Sequence, residues 1–346
     1  MNFESIFDIK LPIIQAPMAG VQDSSLAIAV ARAGGLGSLP CASLSIQEIE
    51  TQLQAIQNAT DSPINLNFFC HQLPEVDVAV DAQWMMLLKP YFEELNIDPE
   101  TITQKQDRAS FSHEVIDAIE PYAPQIVSFH FGLPANEHLT RVKNWGAKIL
   151  STATTIEEAN WLSENGADII IAQGVEAGGH RGMFLTRDLK TQLGTDNLLK
   201  QILANVSLPV IAAGGISSAT DVSKQLNNGA IAAQIGSAYL LCEETKSSDL
   251  HRQAILQDKA PKTALTNLFT GRPARAIINR VINDIGPINH RTPEYPLAIK
   301  AMSALRNMAE QNQSSDFSPL WCGQNTQGCS EISAYDLTIN LATLIS

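Results

Sequence analysis

Eight short apolar runs, each separated from the next by a helix pattern, constrain this chain more than any other feature of its sequence. They begin near residues 11, 36, 63, 125, 147, 168, 208 and 230, and include "PINLNFF" (63–69), "ADIIIAQG" (167–174) and "LPVIAAGGI" (208–216). The runs are continuous rather than alternating, as expected for strands of a parallel sheet buried on both faces. Between them lie patterns such as "SSLAIAVARAG" (24–34) and "TIEEANWLSENG" (155–166), opened by serine or threonine and stopped by glycine. Eight strand–helix units over roughly 240 residues suit a TIM (β/α)8 barrel, whose usual length is roughly 250 residues. A doubly wound open sheet is the competing α/β architecture, and the count of eight favours the barrel.

Two segments break the repeat. Residues of about 70–112, after the third strand, contain "WMMLLKPYFEEL" and read as an inserted helix pair over the barrel mouth. Residues 245–346 carry six prolines, at 261, 273, 287, 293, 296 and 319, and read as a C-terminal helical region packed on a barrel of residues 1–244.

Composition removes several functional classes. With 45% hydrophobic and 17% charged residues, the 346-residue chain can bury a large core. Its net charge of −13, with no basic patch, argues against nucleic acid as a partner. No stretch reaches the roughly 18 apolar residues of a membrane span, and "MNFESIFDIK" at the N-terminus does not read as a signal peptide. Five cysteines without a CxxC pair suit a reducing cytoplasm, with the thiols as small core residues.

In a barrel, ligand and catalytic groups collect at the C-terminal ends of the strands. Here those ends read Ala16-Pro17-Met18, Asn67, His130, Thr152, Gln173, Gly214-Gly215 and Gln234-Ile235-Gly236-Ser237. Strand ends are turn-prone in any protein, but that does not account for Asn67 inside "NLNFF" or Gln234 inside "IAAQIGS". The glycines of "AAGGI" (212–216) and "QIGSAY" (234–239) each lead into a helical pattern, at the two loops where barrels often hold phosphate. Together they point to a phosphorylated cofactor. The glycines of "AGGLG" (33–37) follow a helix instead and read as a helix stop and strand entry.

One loop stands apart. "QGVEAGGHRG" (173–182) sets His180 on a backbone too glycine-rich for a helix and too poor in apolar residues for a strand. A metal site from Glu176 and His180 fails, because Gly178 and Gly179 between them make a zinc-binding helix unfavourable. Arg181 beside it either binds a carboxylate or is a solvated surface arginine.

These stretches resemble the nitronate monooxygenases, formerly called 2-nitropropane dioxygenases. The resemblance runs through "QAPMAG" (15–20), "NLNFF" (65–69), "VSFHFG" (127–132), "QGVEAGGHRG", "AAGGI" and "QIGSAYLLCEE" (234–244), and on into "FTGRPARAIINR" (269–280) and "SPLWCGQ" (318–324). It implies a non-covalent FMN in the barrel mouth. Asn67, Gln173, Gly178, Gly215 and Gln234, Ile235, Gly236 and Ser237 would hold the flavin, and Ala16, Pro17 and Met18 would line its ring through the backbone. Gly178 would let the loop lie against the flat isoalloxazine, with His180 over the reacting face as a base or as a stabiliser of anionic substrate. His130 is either a second active-site residue or a satisfied core histidine, and Tyr295 and Lys300 stand where relatives place anion-contacting groups. The activity implied is oxidation of a small alkyl nitronate, such as propionate 3-nitronate, by O2 to a carbonyl compound and nitrite, a detoxification. An FMN-dependent NAD(P)H reductase acting on enoyl-ACP or quinone shares the same motifs and is the alternative. A non-catalytic flavin-binding barrel is disfavoured by His180 and the polar strand ends.

Overall fold

The structure is a computed structural model that describes residues 3–102, 110–258 and 260–345. A short helix α1 (Phe3–Phe7) precedes the first unit, strand β1 (Ile13–Gln15) and helix α2 (Ser24–Arg32). The series continues through β2 (Gly37–Pro40), α3 (Ile46–Ala59), β3 (Ile64–Phe69), an inserted helix α4 (Val78–Glu94), α5 (His113–Ile119), β4 (Ile126–His130), α6 (Asn136–Asn144), β5 (Lys148–Ala153), α7 (Ile156–Glu164) and β6 (Ile169–Gln173). A two-residue strand β7 (Gly179–His180) follows, then α8 (Thr195–Asn205), β8 (Val210–Ala213), α9 (Ala219–Asn227) and β9 (Ala232–Ile235). The C-terminal segment holds α10 (Asp249–Leu256), β10 (Thr263–Thr266), β11 (Ala274–Ile277), α11 (Arg280–Ile285), α12 (Ile299–Gln311) and α13 (Ala334–Leu341).

Eight of these strands form one parallel sheet in the order β1-β9-β8-β6-β5-β4-β3-β2. An Ile14–Leu36 bridge, with Gln15 N–H donating to the Leu36 carbonyl at 2.9 Å, closes it into a barrel. The helices start where local chemistry tells them to. Ser45 and Glu48 form a capping box on α3, Ser218 and Asp221 do the same on α9, and the Thr155 hydroxyl accepts from Glu158 N–H on α7.

The pleat sorts the strand residues between two cores. Ile14, Leu150, Ile169, Ile171 and Ile211 fill the barrel interior with Phe3 and Phe7 of α1, which packs at its N-terminal end. Ile13, Ile170, Val210 and Ala233 face outward and pack under the helices. Above the apolar interior comes a polar layer. Gln15 Oε1 accepts from Ser38 N–H at 3.0 Å, Asn65 Nδ2 donates to Ser38 Oγ at 3.0 Å, and Asn67 Nδ2 donates to Ser128 Oγ at 3.0 Å.

Two expectations need amendment. The insertion supplies one long helix and a 3-10 turn (Pro99–Thr101) among the described residues, and its last part, 103–109, lies outside them. Trp84, Leu88 and Phe92 of α4 pack with Leu268, Val281 and Leu305, so the insertion is buried against the C-terminal segment. That segment is mainly helical but also contributes β10 and β11, which form an antiparallel sheet with β7 in the order β10-β11-β7. A two-residue strand carries no periodicity of its own, so only its partner reveals it. All five cysteines are free thiols, with Cys41, Cys242 and Cys322 buried and Cys70 and Cys329 partly so. No helix among the described residues is long and apolar enough to cross a membrane.

Candidate active site

A cavity of about 310 Å³ opens at the C-terminal ends of the barrel strands. Ala16, Pro17 and Met18 line it after β1, Asn67 on β3, His130 on β4, Thr152 on β5 and Gln173 on β6. Gly178, His180, Gly215, Gln234, Gly236 and Ser237 complete the set expected from the strand ends and the glycine loops. Ile235 does not join them: it is 1% exposed in the core under the helices, the strand face opposite the cavity, and only its carbonyl reaches the site region, accepting from Ala16 N–H at 2.8 Å.

The C-terminal expectations divide. Tyr295 is buried with Phe69 and Phe131 behind the cavity wall, its ring 5.7 Å from that of His180. Lys300 is exposed and is not among the residues that line the cavity. On α12 the cavity takes Ile299, Met302, Ser303 and Arg306, positions that share one helical face, and residue 300 falls off it.

The 173–182 loop is held far more firmly than its glycines suggest. Gly179 and His180 pair with Arg275 and Ala274 of β11. The Gln173 side chain donates to the His180 carbonyl at 2.9 Å and accepts from Gly182 N–H at 2.8 Å. His130 Nε2 lies 3.2 Å from the same carbonyl, and since a carbonyl only accepts, Nε2 carries the proton and Nδ1 accepts from Thr152 Oγ1 at 3.1 Å. His130 is thus both a cavity residue and a satisfied one. Burial pushes its pKa down to about 3, with Arg272 and Arg181 adding to the shift and the bond to the His180 carbonyl opposing it.

Arg181 is neither solvated nor available to a ligand. It is fully buried, donating to the carbonyls of Gly174 and Gln173 at 2.6 Å each and to Gln192 Oε1 at 2.9 Å. Gly178 also has a different reason from the one expected. A Cβ there would meet the Gly323 nitrogen at 2.5 Å and the Cys322 carbonyl carbon at 2.6 Å, so glycine is required by the chain's own backbone.

With its backbone fixed, His180 presents its ring to the cavity. Nε2 lies 2.9 Å from Thr270 Oγ1, and the ring centroid is 5.3 Å from that of Trp321 and 6.1 Å from that of Phe69. Thr270 and Trp321 line the cavity and were missed by sequence reasoning. Both fall inside stretches that carried the resemblance, "FTGRPAR" and "SPLWCGQ". Nothing local marks them, because their role depends on contacts with a loop distant in sequence.

At the other end of the cavity, Gly214 and Gly215 both take positive φ, 117° and 70°. The α9 N-terminus is not free for a ligand, since the Asp221 carboxylate accepts from Ser217 and Ser218 N–H at 3.0 Å each. The turn after β9 is 3-10, Ser237–Leu241, rather than α-helical. Among the described residues no backbone acceptor takes the N–H of Gly215, Ile216 or Gly236, and Gln234 Oε1 is buried without a partner. Successive unspent N–H groups in such turns make an anion-binding concavity. A C-terminal loop completes the wall, Gly323 N–H donating to Ser237 Oγ at 2.8 Å and Asn325 Nδ2 to the Gly215 carbonyl at 3.0 Å.

A closed parallel barrel with a histidine and unspent backbone N–H groups lining a cavity at its C-terminal mouth has the architecture of a TIM-barrel enzyme. Its family is equally clear. The family model for nitronate monooxygenase matches residues 2–343, and the chain belongs to that family, whose members are flavin-dependent oxidoreductases. It is 37% identical to a nitronate monooxygenase of Pseudomonas aeruginosa, over 99% of this chain and 98% of that protein. The structure matches a nitroalkane oxidase from Streptomyces ansochromogenes with a TM-score of 0.88 and 33% identity, covering 98% of this chain and 96% of that one. FabK from Thermotoga maritima aligns with a TM-score of 0.72 at 21% identity, over 98% and 93% of the two chains, a likeness of fold.

Proposed function

We propose that this chain is an FMN-dependent nitronate monooxygenase that uses O2 to convert alkyl nitronates, such as propionate 3-nitronate, to a carbonyl compound and nitrite. The observation that carries the reading is His180, an imidazole fixed through Thr270 and set into the wall of a cavity with unspent anion-binding N–H groups at its other end.

The residues present fit FMN. Gly215, Ile216, Gly236 and Ser237 would hold its phosphate, and the orphaned Gln234 Oε1 offers an acceptor to a ligand N–H of the kind an isoalloxazine carries. Ala16 to Met18, Asn67, Gln173 and the Gly178 loop would flank the ring. When bound, the flavin supplies electron transfer from substrate and to O2.

The chain's own part is binding, orientation and exclusion of water. His180 stabilises the negative charge of the nitronate, which needs no deprotonation, and on a neutral nitroalkane it would take the α-proton. His130 stays neutral and orients the His180 backbone rather than exchanging protons with substrate. Phe69, Phe269, Met302 and Trp321 give the cavity apolar walls. The role proposed is detoxification, and a reducing cytoplasm as its setting accords with five unpaired thiols.

The test is anaerobic mixing of the purified protein with a nitronate and, separately, with NADH, while the flavin spectrum is followed. Bleaching by nitronate alone supports the proposal. Bleaching by NADH and not by nitronate would make the chain a reductase on the same barrel, a reading for which the FabK likeness offers only the fold.

A further inference from the structure

We propose that His113, Glu137 and His138 form a binding site for a divalent transition-metal ion of the zinc class, on the outer wall of the barrel and separate from the cavity. One ligand atom from each residue lies within 4.8 Å of the other two. Glu137 Oε1 is 3.6 Å from His113 Nε2 and 3.8 Å from His138 Nε2, and the two imidazole rings meet edge to face with centroids 4.3 Å apart.

Two observations separate this trio from an ordinary surface ion pair. Both carboxylate–imidazole distances are too long for hydrogen bonds, so Glu137 satisfies neither ring. His138 keeps only 12% of its side chain exposed, and neither of its ring nitrogens has a hydrogen-bond partner among the described residues. Buried imidazole nitrogens left without partners call for an explanation, and a coordinated cation is one that two histidines and a carboxylate supply together.

The separations suit the chemistry. Two ligands of a tetrahedral zinc, each about 2.1 Å from it, stand about 3.4 Å apart. Closing the trio takes a few tenths of an ångström at Glu137 and a larger swing of His113, and these side chains are 69% and 61% exposed and free to make it. Imidazole nitrogens favour borderline ions over magnesium or calcium, which prefer all-oxygen shells. Both helices start here, where a cation meets an unfavourable dipole, and the Glu137 carboxylate offsets it.

The site lies where the insertion rejoins the barrel. His113 opens α5, and His138 is in the first turn of α6. Two residues before His113, Phe111 N–H donates to the carbonyl of Phe69, a cavity-wall residue, at 3.1 Å. A metal here would pin the returning chain to α6.

The test uses flavin-loaded protein stripped with a chelator and titrated with zinc chloride by calorimetry, with melting temperature as a second readout. One equivalent of zinc binds and raises the melting temperature, whereas magnesium at the same concentration does not. His113→Ala and His138→Ala each weaken binding by at least about tenfold, the scale on which loss of even a supporting group is felt at metal sites. His138 packs near Phe111 and its replacement can disturb the fold, so the exposed His113 carries the decision. Absence of zinc binding in the wild type, or an unchanged affinity in His113→Ala, overturns the proposal.

Discussion

His130 Nε2 donates to the backbone carbonyl of His180 across 3.2 Å, so one histidine at the end of β4 fixes the loop position of the other. Because the bond goes to backbone, it holds the site of His180 without changing the chemistry of its ring. Replacing His130 by alanine should therefore lower kcat by about tenfold while leaving the pH dependence of kcat/KM unchanged. Steady-state kinetics across pH on flavin-loaded protein checks this, and a lost ionisation in the profile would place His130 in the proton chemistry instead.

The same depressed pKa predicts how stability follows pH. His130 and His251 are held neutral by burial, their pKa values pushed down to about 3 and about 4 from an ordinary 6.5. Below 6.5 the unfolded chain takes up protons at both sites that the folded chain refuses, so the unfolded state binds more protons and stability falls as pH falls. Thermal melts from pH 7 to 5 should show a declining melting temperature, and the slope should flatten in His130→Gln and His251→Gln.

His180→Ala separates two roles. If the imidazole is a general base, turnover of neutral nitroalkane should fall by roughly 100-fold or more while nitronate turnover falls less. If it stabilises the anion, both should suffer comparably, and this is the outcome expected here. Thr270→Val, which removes the hydroxyl beside Nε2 but keeps the shape, should give a milder version of the same pattern. Unchanged nitronate turnover in His180→Ala would remove the residue from the chemistry.

Arg181 offers a test of what holds the loop. It donates to two carbonyls and to Gln192 from a fully buried position, and lysine has no fork with which to repeat that set. Arg181→Lys should cost about 1.5–3 kcal/mol, the range for a hydrogen bond to a charged group, with part of the flavin lost on purification. Urea unfolding and the flavin-to-protein absorbance ratio measure the two effects.

The bound pigment should be FMN rather than FAD, and heat release followed by chromatography decides between them. Gly215→Asp should abolish its retention. Gly215 has φ +70°, and a Cβ there meets Glu176 Cβ at 3.2 Å, so strain alone weakens the fold. Gly215→Ala supplies the control, since it shares the strain and lacks the charge. FMN affinity at least about 100-fold weaker in the aspartate variant than in the alanine variant would locate the phosphate, as expected for a buried unpaired charge. Equal affinities would move the phosphate site elsewhere.

Much of this architecture was written locally. Strands that begin at 13, 64, 126 and 169 follow from apolar runs expected near 11, 63, 125 and 168, and the Ser45 and Ser218 capping boxes are visible as serine followed three residues later by an acid. The strand-end polar residues converge on one cavity because a closed parallel barrel brings all its C-terminal ends to one rim. That step needs only the strand count.

What the sequence left open was decided by contacts between distant segments. His180 and Thr270 are 90 residues apart, and they meet where β7 pairs with β11, four residues past Thr270. The same pairing made a strand of two residues with no strand pattern, and the approach of Gly323 by itself requires glycine at 178. Arg181 reads as a carboxylate binder or a solvated charge until the barrel folds its own carbonyls around it, and the phase of α12 decides that Ile299 and Met302 line the cavity while Lys300 faces solvent. Periodicity and capping act within a few residues and are legible one stretch at a time. Burial, register and hydrogen-bond partners are properties of the closed structure, and they set the roles of individual side chains only once it forms.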